Sequence, residues 1–140
     1  MKGPTVANYV AVARSNYFHV QSAEAFLAWV DSLPGVVAEP GREGTFALMV
    51  EDSDCGGWPL SRDPDYYGDE EIDLAGGLSE HLVEGSPAIL LESGHEKLRV
   101  LKGSALAVNH DGGVISISID EIYDRVRQVG WSDNPSPAEY

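Results

Sequence analysis

The chain has 140 residues, 43% of them hydrophobic and 23% charged, which is the balance of one folded domain with a real core rather than of a disordered segment. Its imbalance is one of sign: 23 Asp and Glu stand against 9 Lys and Arg, a formal net charge of −14. A field that negative repels phosphate backbones and anionic lipid and attracts basic protein surfaces, so direct nucleic-acid and membrane binding are not expected.

The single cysteine permits no internal disulfide, and the opening MKGPTVANYV has no apolar run of signal-peptide length. No stretch reaches the ~18 apolar residues of a membrane span. The expectation is a soluble, cytoplasmic protein without cofactor.

In chain order, Tyr9 to Val20 alternates in two pieces about Arg14-Ser15-Asn16 and reads as an interrupted first strand. Ser22 is a candidate N-cap, with Phe26, Trp29, Val30 and Leu33 at helical spacing and Pro34-Gly35 as a stop. Val36–Glu39 and Thr45–Val50 flank the turn composition Pro40-Gly41-Arg42-Glu43-Gly44 and predict a hairpin. A helix is expected from Asp69 to Glu84, ended by Gly85, although Gly76-Gly77 costs roughly 1 kcal/mol per glycine relative to Ala.

Three strands follow at Pro87–Glu92, Lys97–Val108 and Val114–Ile119, with turns at Ser93-Gly94-His95 and Asn109–Gly113. Ser118-Ile119-Asp120-Glu121 has the capping-box pattern of a last helix, whose apolar face is Ile122, Val126 and Val129 and whose end is Gly130. Residues 131–140, with two prolines, read as an extended tail. The order β-α-β-β-α-β-β-β-α predicts a single α+β domain over residues 1–140, a mainly antiparallel sheet with about three helices packed on it. Its unpaired edge strands would allow a homodimer.

Charge concentrates between Glu51 and Asp73, where nine carboxylates stand against one basic residue, Arg62. At 100° per residue, Glu70, Asp73, Glu80 and Glu84 would share an arc of about 80° extending roughly 21 Å along the expected helix. No Lys or Arg occurs between Asp63 and Glu96 to provide the i,i+4 pairs of an ordinary solvated helix face. The candidate partner-binding residues are therefore Glu51, Asp52, Asp54, Trp58, Asp63, Asp65, Tyr66, Tyr67, Asp69, Glu70, Asp73, Glu80 and Glu84. Trp58, Tyr66 and Tyr67 are of the types favoured at binding hot spots, and they serve equally to pack the loop against the body. A solvated, solubilising face is the competing reading of the carboxylates.

Catalytic chemistry finds less support. Cys55 with His19, His81, His95 and His110 offers a nucleophile and bases, but the surrounding carboxylates disfavour a thiolate. Asp52, Asp54 and Asp63 have the start of a calcium loop, with Gly56 at its fifth position and Asp rather than Glu at its twelfth. The histidines lack zinc-site spacing, and no phosphate-binding glycine loop or serine-nucleophile motif is present. A small enzyme or metal-binding fold using Cys55 or the Asp52/Asp54/Asp63 cluster is the remaining chemical alternative.

Ala13-Arg14-Ser15-Asn16-Tyr17-Phe18-His19-Val20 with Ala25-Phe26 and Trp29, Ile119-Asp120-Glu121-Ile122-Tyr123, and the closing Ala138-Glu139-Tyr140 carry a resemblance. At both ends the chain resembles small acidic accessory proteins of plasmids, phages and other mobile elements, among them anti-CRISPR and antirestriction proteins. The resemblance implies action by binding, often as a nucleic-acid mimic that occupies the basic channel of a host defence complex, and it transfers no catalytic residue. The expected function is inhibition of a nucleic-acid-handling defence complex by docking on its basic surface. An immunity or antitoxin protein that neutralises a basic nuclease toxin would need the same surface.

Overall fold

The computed structural model describes residues 9–50, 57–59, 71–96 and 100–138. Seven strands form one sheet: β1 (Tyr9–Ser15), β2 (Phe18–His19), β3 (Val36–Pro40), β4 (Thr45–Val50), β5 (Ala88–Glu96), β6 (Val100–Val108) and β7 (Val114–Ser118). Three helices accompany them, α1 (Ala23–Asp31), α2 (Leu74–Ser79) and α3 (Glu121–Gln128). Every pairing is antiparallel. β4 lies between β3 and the successive pieces β1 and β2, and β1 passes on to β5, β6 and β7. The fold is the expected α+β arrangement.

The break in the first strand falls at Asn16-Tyr17, and side chains take over the lost ladder. Asn16 Oδ1 accepts from the Ile89 N–H at 2.8 Å while its Nδ2 donates to the Pro87 carbonyl. Ser15, buried, accepts the Leu48 N–H on Oγ at 2.8 Å and donates to the Asn16 carbonyl at 2.7 Å. These bonds satisfy backbone groups that a bulge would otherwise bury unpaired.

α1 starts as expected: Ser22 Oγ accepts from the Ala25 N–H. Phe26 and Val30 enter the core, where they meet Phe18, Leu33, Val36, Leu48, Ile72, Leu78, Leu82, Ala88, Leu90 and Val108. Phe18 stands edge-on to Phe26 at 5.7 Å, a geometry favoured by the ring quadrupoles. α1 and α2 thus cover one face of the sheet.

Three expectations need correction. Among the described residues, the helix predicted from Asp69 to Glu84 is helical only from Leu74 to Ser79. Its later part is claimed instead by tertiary pairing: Leu82 bridges Val20, Gln21 N–H donates to the His81 carbonyl, and Val83 N–H donates to the His19 carbonyl. The turn predicted at Ser93-Gly94-His95 is regular strand, because these residues pair with Val12, Ala11 and Val10 on one side and with Gly103, Lys102 and Leu101 on the other. Two-sided pairing overrides a local glycine signal.

The third correction concerns packing. α3 forms close to where its capping box predicts, with the Ser118 N–H donating to the Glu121 carboxylate, but its N-cap is Asp120 rather than Ser118 and none of its residues is buried. Ile122 and Val129 remain 59% and 62% exposed. Of the three helices, α1 and α2 supply the buried residues, and α3 has only the half-buried Tyr123 and Val126.

Candidate functional site

Because the helices cover one face, the acidic segments meet there. α1 runs from a Ser22 cap with Glu24 in its first turn to Asp31 at its end, and both carboxylates are exposed. Beside it lies the segment from Glu71 to Glu84, held by three kinds of contact. Trp29 of α1 packs on α2 at Gly77, where a Cβ would come within 2.7 Å of the indole Nε1. His81 lies against the same indole at 5.3 Å and edge-on to Phe26 at 5.9 Å. Gln21 reaches across, its Nε2 donating to the Leu82 carbonyl at 2.8 Å.

Gly76 and Gly77 are explained by this packing rather than tolerated at a loss. Asp73 caps α2, its Oδ1 accepting from the Gly76 N–H at 3.0 Å. A Cβ on Gly76 would lie 2.2 Å from the same carboxylate. A six-residue helix that would not stand alone is fixed by its cap and by Trp29.

The four described candidate residues are therefore placed differently from one another. Asp73 is a cap whose carboxylate is engaged by backbone. Glu80 is the C-cap of α2, and Glu84 sits in the turn before Gly85; both are exposed. The single helical stripe expected of Glu70, Asp73, Glu80 and Glu84 is not formed, since α2 ends before Glu80. Trp58 is half-buried against the core, its N–H donating to Glu92 Oε1 at 2.8 Å and its buried indole Nε1 meeting no acceptor among the described residues. Glu51, Asp52, Asp54, Cys55, Asp63, Asp65, Tyr66, Tyr67, Asp69 and Glu70 lie outside the described residues.

What replaces the stripe is four exposed carboxylates on two segments that Trp29 packs together: Glu24 and Asp31 on α1, Glu80 and Glu84 after α2. Neither residues 16–39 nor residues 63–96 contain a Lys or Arg. Glu24 and Asp31 escaped the sequence reading because they lie on a different element, well before the acidic stretch that begins at Glu51. The only signal for them was the absence of basic residues from the first helix. Among the described residues, no group of three or more His, Cys, Asp or Glu is placed to hold a metal ion, and no helix is long and apolar enough to cross a membrane.

Compared with known proteins, the chain matches no family model, no curated protein and no solved structure. The class that can be stated is structural: an antiparallel sheet with an acidic helix layer on one face.

Proposed function

We propose that this protein works by binding, docking its helix layer on a Lys/Arg-lined surface of a nucleic-acid-handling host defence complex and inhibiting it there. The observation that supports this reading is the helix layer itself: Glu24, Asp31, Glu80 and Glu84 are exposed on segments devoid of Lys and Arg. An ordinary solvated face mixes signs and gains from i,i+4 pairs. One-signed faces instead raise the association rate with an oppositely charged surface and select against acidic ones. The net charge of −14 disfavours direct contact with phosphate, and a basic protein surface is its electrostatic complement.

The test is capture of nucleic-acid-binding complexes from host lysate by the intact chain at ~50 mM and ~500 mM salt, followed by assay of the captured complex for nucleic-acid binding. Glu24, Asp31, Glu80 and Glu84 are changed together to Lys. Asp73 is left alone, since its loss would cost the cap of α2, about 1 kcal/mol. The expected result is capture that weakens with salt and is lost in the fourfold variant, with an unchanged melting temperature. Equal capture and inhibition by that variant would refute the proposal.

A further inference from the structure

The opposite face of the sheet carries a second feature, independent of the acidic patch. Side chains alternate across a strand, so one register row places Arg14, Leu91, Ala105 and Ile117 side by side, and the next places Val12, Ser93 and Gly103. Ile119 closes the latter row, its N–H donating to the Gly103 carbonyl at 2.9 Å and its side chain lying over Gly103. Among the described residues, no helix covers these rows. Val12 is 72% exposed, Leu91 50%, Ile115 72% and Ile117 59%.

The rows form a trough. Its floor is β6, where Gly103, Ala105 and Ala107 have little or no side chain; its walls are β5 and β7, with Leu91 on one side and Ile115 and Ile117 on the other. A groove of about 740 Å³ runs from the Gly103 and Ala105 floor past Leu91, Val12 and Arg14 to Met49 of β4. Strands two apart stand roughly 9.6 Å from each other, close to the diameter of an α-helix.

The same chain presents an unpartnered helix. α3 bears Ile122, Val126 and Val129 at i, i+4 and i+7, one apolar stripe, of which Val126 is half-buried and Ile122 and Val129 stand exposed. It leaves β7 after only Ile119 and Asp120, and it does not occupy its own trough.

We infer that the outer face is a twofold interface between two copies of this chain, each laying the Ile122–Val129 face of α3 into the β6 trough of the other. Three observations select a second copy as the occupant. The exchange is reciprocal, so one pair of surfaces closes the assembly. Trough and helix together leave seven large apolar residues, Val12, Leu91, Ile115, Ile117, Ile119, Ile122 and Val129, at least half exposed, a concentration that marks an interface rather than scattered exposed side chains. The charge distribution also permits it. Two chains of −14 repel, yet the strand carboxylates near this face among the described residues are engaged: Glu39 accepts from the Tyr17 hydroxyl at 2.9 Å, and Glu92, which lines the groove, accepts from the Trp58 N–H at 2.8 Å. The acidic helix layers would then point away from each other, to the two outsides of the dimer.

Sedimentation equilibrium of the purified full chain tests this. The wild type is expected to sediment at twice 15.1 kDa in the tens of micromolar range. The dimer should tighten severalfold between low and high salt as the repulsion is screened, opposite in sign to the salt effect on partner capture. Ile122→Asp with Val129→Asp on the helix, and separately Ile117→Asp on the trough wall, should weaken dimerisation at least 100-fold; the positions are exposed in the single chain, so circular dichroism and melting should hold. Ile122→Ser with Val129→Ser serves if the aspartates disturb folding. A wild type that stays monomeric to 100 µM, or a folded variant that dimerises undiminished, overturns the inference. The Glu80→Lys, Glu84→Lys variant should still dimerise, so the failure of either proposal is visible without the other.

Discussion

The two faces of the sheet are built from the same strands and end in opposite states. On the inner face Phe18, Leu48, Leu90 and Val108 are buried beneath Phe26, Val30 and Leu78. On the outer face Val12, Leu91, Ile115 and Ile117 alternate with them in sequence and stand in solvent. Strand periodicity produces both faces equally; helix placement decides which one becomes a core. An antiparallel sheet can leave one face wet, but that face is ordinarily polar. Here the solvated layer is the helical one, with its carboxylates, while the bare strands are apolar.

Substitutions on the two faces should therefore separate sharply. The largest effect is expected at Phe26, which touches Phe18, Trp29, Phe46 and His81. Phe26→Ala should cost about 3–5 kcal/mol in urea unfolding, through lost transfer energy and a cavity where α1, α2 and the sheet converge. A loss under ~1 kcal/mol would mean that the helix layer is not the core-forming side.

Ser15 should follow. Ser15→Ala leaves the buried Leu48 N–H without its acceptor, a cost of about 1–3 kcal/mol, and Ser15→Thr should recover part of it by restoring a hydroxyl. Full stability in the alanine variant would show that the strand break does not depend on this side chain.

The smallest effect is expected at Ile115. Ile115→Thr, measured at a concentration where the chain is a single copy, should change stability by no more than about 0.5 kcal/mol, since the side chain is 72% exposed. A cost of 2 kcal/mol would place a covering element over the outer face within the single chain. That result would oppose the trough's assignment to a second copy.

Much of the architecture was legible because its signals are local. Ser22 before a 3.6-period apolar run and the glycine-rich turns at 40–44 and 109–113 act within a few residues and work as read; at Ser118 only Glu121's half of the capping box forms, and the helix caps at Asp120. The central helix was overextended because residues 80–84 satisfy helical periodicity and also pair with residues 19–21. No pattern within one segment reveals a competitor 60 positions away. Ser93-Gly94-His95 misled for the same reason, two neighbouring strands holding it extended.

The candidate site was legible as a quantity of charge and not as a shape. The excess of carboxylates and the segments without Lys or Arg are facts of composition, and they hold whatever the fold. Which carboxylates stand together was decided by packing: Trp29 against Gly77 and His81 joins α1 to α2, withdraws Asp73 into a cap and leaves Glu80 and Glu84 exposed. By itself, the sequence determined the element order, the strand parity and the sign of the surface, because these depend on neighbours in the chain. The tertiary structure alone decided which parity is core, since burying one face requires a helix to arrive from a distant segment, and α1 and α2 arrive on the same side.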